Sequence, residues 1–430
     1  MPIGLNPTEE EEHLHRLRKR ARYRCNPPST LGIYVMLRCV CIGLLLTFSA
    51  AAAPILVTPY ALEIFPREDC VKPDPVTGTP LLFLTKGASK DTNLYFHHRS
   101  WIADGSMIFF MSQREKGGLM GYVVSTGEVV QITAADGMKL HSATAAIHRN
   151  SVFAMAGDRV VEIQLSIEIK KGHAKVTARE RFLCEVKGID VYLNENCTGD
   201  YLAAGGGNLE GAGKAGLVIV REDTGAYERL CDMPEGVTYR GHVQWSITNP
   251  YWISFAGEPS RLWFVAIRDR KPWCPYVQQE NELVTHESWW VNDQLLFCGG
   301  IHPKPTEDSH IKVLDPPDGT IRSVGEGSWW PNADPVDIAR RNWWHASGAP
   351  NGRWVAGDNW HGDIMLFDGK TARPRLLTTN HRTYGEGEHP EVGWDRAGKQ
   401  VIFASHMLGG VTVCVATMPE TWQRELDATR

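Results

Sequence analysis

HASGAPNGRWVAGDN (residues 345–359) opens with a histidine, reaches an Asn-Gly turn six residues later and continues as a short apolar run of strand composition. The same turn followed by an apolar strand recurs as ADGSMIFFMS (103–112), HRNSVFAMAG (148–157), CTGDYLAAGG (197–206), TNPYWISFAG (248–257), VNDQLLFCGG (291–300) and DRAGKQVIFAS (395–405). With PNGRWVAGDN (350–359) inside the opening stretch, that makes seven units. Several carry a second turn, in STGEVVQIT, DTGAYERL, PDGTIRSV and DGKTARPRLL. A spacing of roughly 40 to 60 residues leaves room for four short strands, the size of a propeller blade. No long amphipathic helix interrupts the pattern after Pro54, so the expected fold is all-β, one seven-bladed β-propeller over residues 54–430. Residues 54–90, rich in proline, are expected to lead into the ring or take part in closing it.

The first 53 residues are built differently. A charged run, EEEEHLHRLRKRARYR, precedes NPPST and the apolar stretch LGIYVMLRCVCIGLLLTFSAAAAP. From Met36 this reads as a secretory signal with Arg38, an apolar stretch to Phe48 and small residues before Pro54, cleaved near Ala53. A retained signal anchor is the alternative, and only that would bring the chain to a membrane. Either way an exported protein is expected, periplasmic or secreted. The net charge is −5 and no basic block lies beyond the first 25 residues, which gives no electrostatic reason for a nucleic-acid partner. Seven cysteines follow Ala53 without a CxxC pair, which argues against a disulfide framework or zinc knuckle. Fifteen Trp, several in adjacent pairs (Trp289-Trp290, Trp329-Trp330, Trp343-Trp344), suit a turn-rich β core, and exposed ones suit sugar faces. The glycine-rich GGGNLEGAGKAG (205–216) lacks the ending of a phosphate-binding loop, and NCT at Asn196 matches a glycosylation sequon.

The histidine of the opening stretch also recurs. His98 precedes Asp104, His286 precedes Asn292, His345 precedes Asn351 and His389 precedes Asp395, each by six, while His141 and His242 stand near the same phase. Only the third unit, around Asp190 and Tyr192, lacks one. The phase places these side chains at the start of each innermost strand, where they can converge on one mouth of the central channel. Two readings of the set stay open. Repeated histidines serve internal hydrogen bonding in propellers that carry a Trp-Asp repeat, which is missing here; converging imidazoles instead suit a divalent metal or a general base.

Several motifs, in order over residues 93–424, resemble the oligogalacturonate lyases, a family of seven-bladed propellers. They are NLYFHHRSWIADGSMIFF, GHVQWS with FAGEPSRLWFV, THESWW, WHASGAPNGRWVAGD and HPEVGWDRAGKQVIFAS. The resemblance implies β-elimination on acidic oligosaccharides, with His242 as Brønsted base and His286 and His389 as metal ligands. It also implies a divalent cation, Mn by preference and Ca as the alternative. The family's Gln-x-x-His-Pro-His-Pro run reads YGEGEHP here, so only His389 matches, with Tyr384 and Gly387 at the other places. The arginine expected on the third blade is absent from KAGLVIV. By our own reading of the residues, His345 or Glu386 completes the metal site, and Arg240 or Arg114 supplies the missing cation for substrate binding. Glu258 and Glu287, each after a strand, are expected to be solvated or salt-bridged. The alternatives are a non-catalytic propeller of the Tol type for protein or glycan binding, and a lyase for another uronate glycan.

Overall fold

The computed structural model describes residues 55–190, 193–301, 309–326, 342–382 and 388–427. The leader lies outside them, as do Tyr192, Trp329, Trp330, Tyr384, Glu386 and Gly387. Among the described residues no helix is long and apolar enough to cross a membrane.

Most turns of the repeat are closed by their own polar residue. Asn351 Oδ1 accepts the Arg353 N–H at 3.0 Å, and Gly352 takes φ 73°, the left-handed region where a side chain would also meet Val291. Asp395 Oδ1 likewise accepts from Lys399 and Gln400. These turns send the chain from one strand into its antiparallel neighbour, and seven antiparallel sheets result. Their innermost strands are Asp91–Asn93, His141–Ala145, Asn194–Glu195, Gln244–Trp245, Thr285–Trp289, Trp343–Gly348 and Gly393–Trp394. We number the blades 1 to 7 in that order. The fold is an all-β, seven-bladed propeller.

The ring closes with chain from both ends. Blade 7 takes Gln400–Ser405 and Thr412–Thr417 from the C-terminal part, then Pro80–Phe83 and Cys70–Pro73 from the N-terminal part, with Phe83 paired to Cys414. Upstream, Ile64–Phe65 adds to the outer strand of blade 1, and Tyr60–Ala61 to that of blade 2. Those outer edges are thereby covered rather than left to pair with other chains.

Hydrophobic burial lies between blades, because alternate residues of each sheet face opposite neighbours. Phe153 of blade 2 packs in one layer with Leu202 of blade 3, Trp354 of blade 6 with Phe403 of blade 7, and Phe110 of blade 1 with Val413 of blade 7. The adjacent Trp289 and Trp290 show the same alternation. The indole N–H of Trp289 reaches back to Gln244 O in blade 4, that of Trp290 forward to Ala349 O in blade 6. Asn196, in the sequon, is buried and its side-chain oxygen caps the Asp200 N–H, which leaves its amide nitrogen inside the fold.

Candidate functional site

Two histidines of the repeat, His286 and His345, are aimed by irregularities in their strands. The pairing register shifts between Thr285 and Ser288 around His286, and between Trp343 and Ala346 around His345. His286 and His242 both take positive φ, 52° and 55°. Such bulges twist a strand and redirect one side chain without breaking the sheet. In blade 1 the chain leaves its inner strand after Asn93, and residues 94–100 turn, with His98 N–H bonded to Tyr95 O at 2.7 Å. That segment carries Phe96 against three imidazoles, with ring centroids 6.4 Å from His242, 6.1 Å from His286 and 5.4 Å from His345.

The outcome is a continuous row of rings. His98 lies 4.6 Å from His97, His97 5.9 Å from His242, His242 6.3 Å from His286, His286 4.1 Å from His345, and His345 5.2 Å from His389. Five of the six in-phase histidines meet. The sixth, His141, is turned to solvent beside Ser142, whose positive φ and the register shift after His141 point its ring away. His97 was not legible from the phase of the repeat, since neighbours on a straight strand face opposite sides; the turn at Tyr95 brings it in.

Next to His389, which ends the row, stands His345, wholly buried. Its Nδ1–H donates to Asp358 Oδ2 at 2.9 Å, and the same carboxylate accepts the backbone N–H of His345 at 2.8 Å and that of Glu391 at 2.9 Å. With Nδ1 committed, Nε2 carries the lone pair of the neutral ring, and this buried atom has no hydrogen-bond partner among the described residues. One ligand atom each from His345, His389 and Glu391 lie within 4.8 Å of one another. Burial alone would lower the His345 pKa, but Asp358 outweighs it and raises it. Burial pushes the Glu391 carboxyl up to about 8, opposed by His345 and reinforced by Glu388 and Asp358. Burial lowers His389. A cation among these atoms would offset the cost of keeping Glu391 ionised, so an orphaned imidazole nitrogen, a second imidazole and a carboxylate fit a divalent metal. Glu391 was missed from the sequence although it stands two residues after His389. His286, the other expected ligand, packs against His345, and burial with its histidine neighbours holds its pKa well below the ordinary value.

Toward the other end stands His242, 7% exposed. Glu287 Oε1 is 3.4 Å from its Nδ1, and Arg261 Nε donates to Glu287 Oε2 at 2.9 Å. Burial opposes ionisation of Glu287, but Arg261 and His242 hold its carboxyl below the usual range. A carboxylate beside Nδ1 favours the tautomer with the proton there, and in that tautomer Nε2 accepts from the Tyr95 hydroxyl at 3.2 Å. Burial draws the His242 pKa down to about 4 despite Glu287, which keeps the ring neutral near pH 7. The arginine in this environment is Arg261, from GEPSRLWFV. Arg240 instead pairs with Glu258 at 2.6 Å, half exposed, and Arg114 with Glu68 at 3.2 Å and Asp91 at 3.5 Å. Glu258 is thus salt-bridged at the surface, and Glu287 is buried in the site. Beside Arg261 lies an open depression of about 590 Å³ that Thr285, next to His286, also lines. Trp360, 37% exposed, stands 4.9 Å from Trp344 and 6.3 Å from His389.

No family model matches the sequence, and no curated protein matches it. Among solved structures, an oligogalacturonate lyase in complex with manganese is similar, with TM-score 0.66 and 16% identity over 84% of this chain and 98% of that one. An oligogalacturonate lyase from Vibrio parahaemolyticus has TM-score 0.62 and 15% identity over 86% of this chain and all of that one. At such identity the likeness is one of fold.

Proposed function

We propose that this chain is a divalent-metal-dependent lyase that cleaves uronate oligosaccharides by β-elimination. The observation that carries the reading is the buried, unpartnered Nε2 of His345 beside His389 and Glu391, at one end of a row of imidazoles that runs to a neutral His242. The fold shared with a manganese-bound oligogalacturonate lyase supports it. His345, His389 and Glu391 would hold the metal, with His286 alongside. Two imidazoles and one carboxylate favour Mn over Ca. When bound, the cation supplies the positive charge that makes the C5 proton of a uronate acidic, by drawing charge from its C6 carboxylate.

The chain's own residues do the rest. His242, neutral near pH 7, takes the C5 proton on Nε2. Glu287 orients the ring and stabilises the imidazolium that forms, and Arg261 fixes Glu287. Trp360, exposed and backed by the tilted ring of Trp344, offers an apolar face for a pyranose ring. The expected partner is an acidic oligosaccharide, met outside the cytoplasm if the leader exports the chain.

The test is incubation of the protein and Mn with uronate oligosaccharides while the absorbance of the unsaturated product is followed. Turnover that His242→Ala abolishes, with Mn binding retained, supports the reading. Silence on every uronate in the presence of metal overturns it, and glycan binding without turnover would point instead to a binding propeller.

A further inference from the structure

The residue bonded to the proposed base carries a stereochemical consequence. Tyr95 reaches His242 from the inserted segment of blade 1, its ring edge-on at 81° with a centroid separation of 5.3 Å and its hydroxyl 3.2 Å from Nε2. Tyr95 is partly exposed, so the phenol is not sealed in the core. A β-elimination removes a proton from C5 and returns one to the departing C4 oxygen. An acid and a base that touch one another lie on one side of any sugar placed over them. They can serve only a C5–H and a C4–O that project from the same face of the ring.

Resting on the lyase reading above, we infer that Tyr95 is the general acid paired with His242, and that the substrate is a uronate whose C5 hydrogen and C4 oxygen are cis, as in glucuronate and mannuronate. Galacturonate, the sugar in the names of the two fold relatives, has the C4 oxygen inverted and presents these groups on opposite faces, as do the C5 epimers guluronate and iduronate. The step balances without a further reactant. On substrate binding the Tyr95 O–H turns from Nε2 to the glycosidic C4 oxygen, which frees the Nε2 lone pair. His242 Nε2 takes the C5 proton, the C5–H electron pair becomes the C4–C5 double bond, and the C4–O bond breaks with its pair going to oxygen. That oxygen takes the phenolic proton, and the tyrosinate recovers a proton from the imidazolium across the 3.2 Å contact. The products are a 4,5-unsaturated uronate and a free hydroxyl on the leaving chain, with both side chains restored.

The experiment gives the full protein, with Mn, four sets of oligomers: glucuronate, mannuronate, galacturonate and guluronate. Faster turnover of either cis uronate than of both trans uronates is expected. Galacturonate or guluronate cleaved as well as or better than the cis sugars overturns the inference while the lyase reading stands. No turnover on any of them overturns both. The second arm uses Tyr95→Phe, which keeps the ring. Its kcat on the cis oligomer should fall by ~100-fold or more with KM little changed. On a glucuronate carrying an aryloxy group at C4, which departs without a proton, the variant should recover to within a few-fold of wild type. An equal loss on both substrates would show that Tyr95 only supports the fold of the site, and would refute its role as acid.

Discussion

Asp358 is the residue on which the proposed metal site turns, and Asp358→Asn tests it at nearly constant shape. The carboxylate is wholly buried and accepts three hydrogen bonds of 2.8 to 2.9 Å, from the backbone and ring of His345 and the backbone of Glu391. An asparagine offers one acceptor oxygen and one NH2 in the same space. If the NH2 faces the His345 ring, the imidazole must move its proton to Nε2, and the lone pair proposed to bind metal is lost. If the NH2 faces a backbone N–H, two donors oppose each other, at a cost of ~1–3 kcal/mol for the unsatisfied group. Removal of such an outer partner of a ligating histidine weakens metal binding ~10- to 100-fold, or ~1.4–2.7 kcal/mol. Calorimetric titration of Mn into wild type and Asp358→Asn reads the affinity, and urea unfolding of the metal-free proteins reads the stability term separately. A folded variant that binds Mn as tightly as wild type would refute the assignment of His345 Nε2 as ligand.

Three other outcomes follow from the geometry. Glu287→Gln keeps the shape beside His242 but removes its charge, so kcat on the best uronate should fall ~100-fold or more while Mn affinity, measured by the same titration, stays as in wild type. Phe83→Ala removes a fully buried ring from the strand that closes blade 7, and urea unfolding should show a loss of ~3–5 kcal/mol. His381 is buried between Thr378 and Ser405, and burial lowers its pKa to about 3 in spite of Asp74. The unfolded chain therefore binds a proton below about pH 6.5 that the folded state refuses until about pH 3. Its contribution is present above pH 6.5 and is lost as pH falls through that window, by about 1.4 kcal/mol per unit. The gap in unfolding free energy between wild type and His381→Gln should narrow accordingly from pH 7 to pH 4; a gap that does not change with pH would contradict the buried neutral ring.

Much of the site was legible as composition in phase. His242, His286, His345 and His389 were picked out by their distance from a turn, and the row of rings contains all four. The partners that give those rings their chemistry were not. Glu287 was expected to be solvated or salt-bridged; it is salt-bridged, to an arginine 26 residues earlier in the chain, but that pair is buried beside His242. Arg240 and Arg114 lay near the right turns but turn to other carboxylates. Tyr95 and Phe96 were not singled out, because nothing in NLYFHHRS announces that the strand ends at Asn93.

The sequence by itself determined the seven repeats, the alternation that packs blade on blade, and the polar turns that reverse each strand, because these depend on neighbours within about ten residues. Only the tertiary structure decided which side chains meet in the channel. Ring closure through Phe83 and Cys414 sets the blades around a common axis, and local register shifts turn individual imidazoles inward. His141 shows the difference: it has the phase of the others, but its strand turns it outward, and phase along a strand carries no information about that rotation.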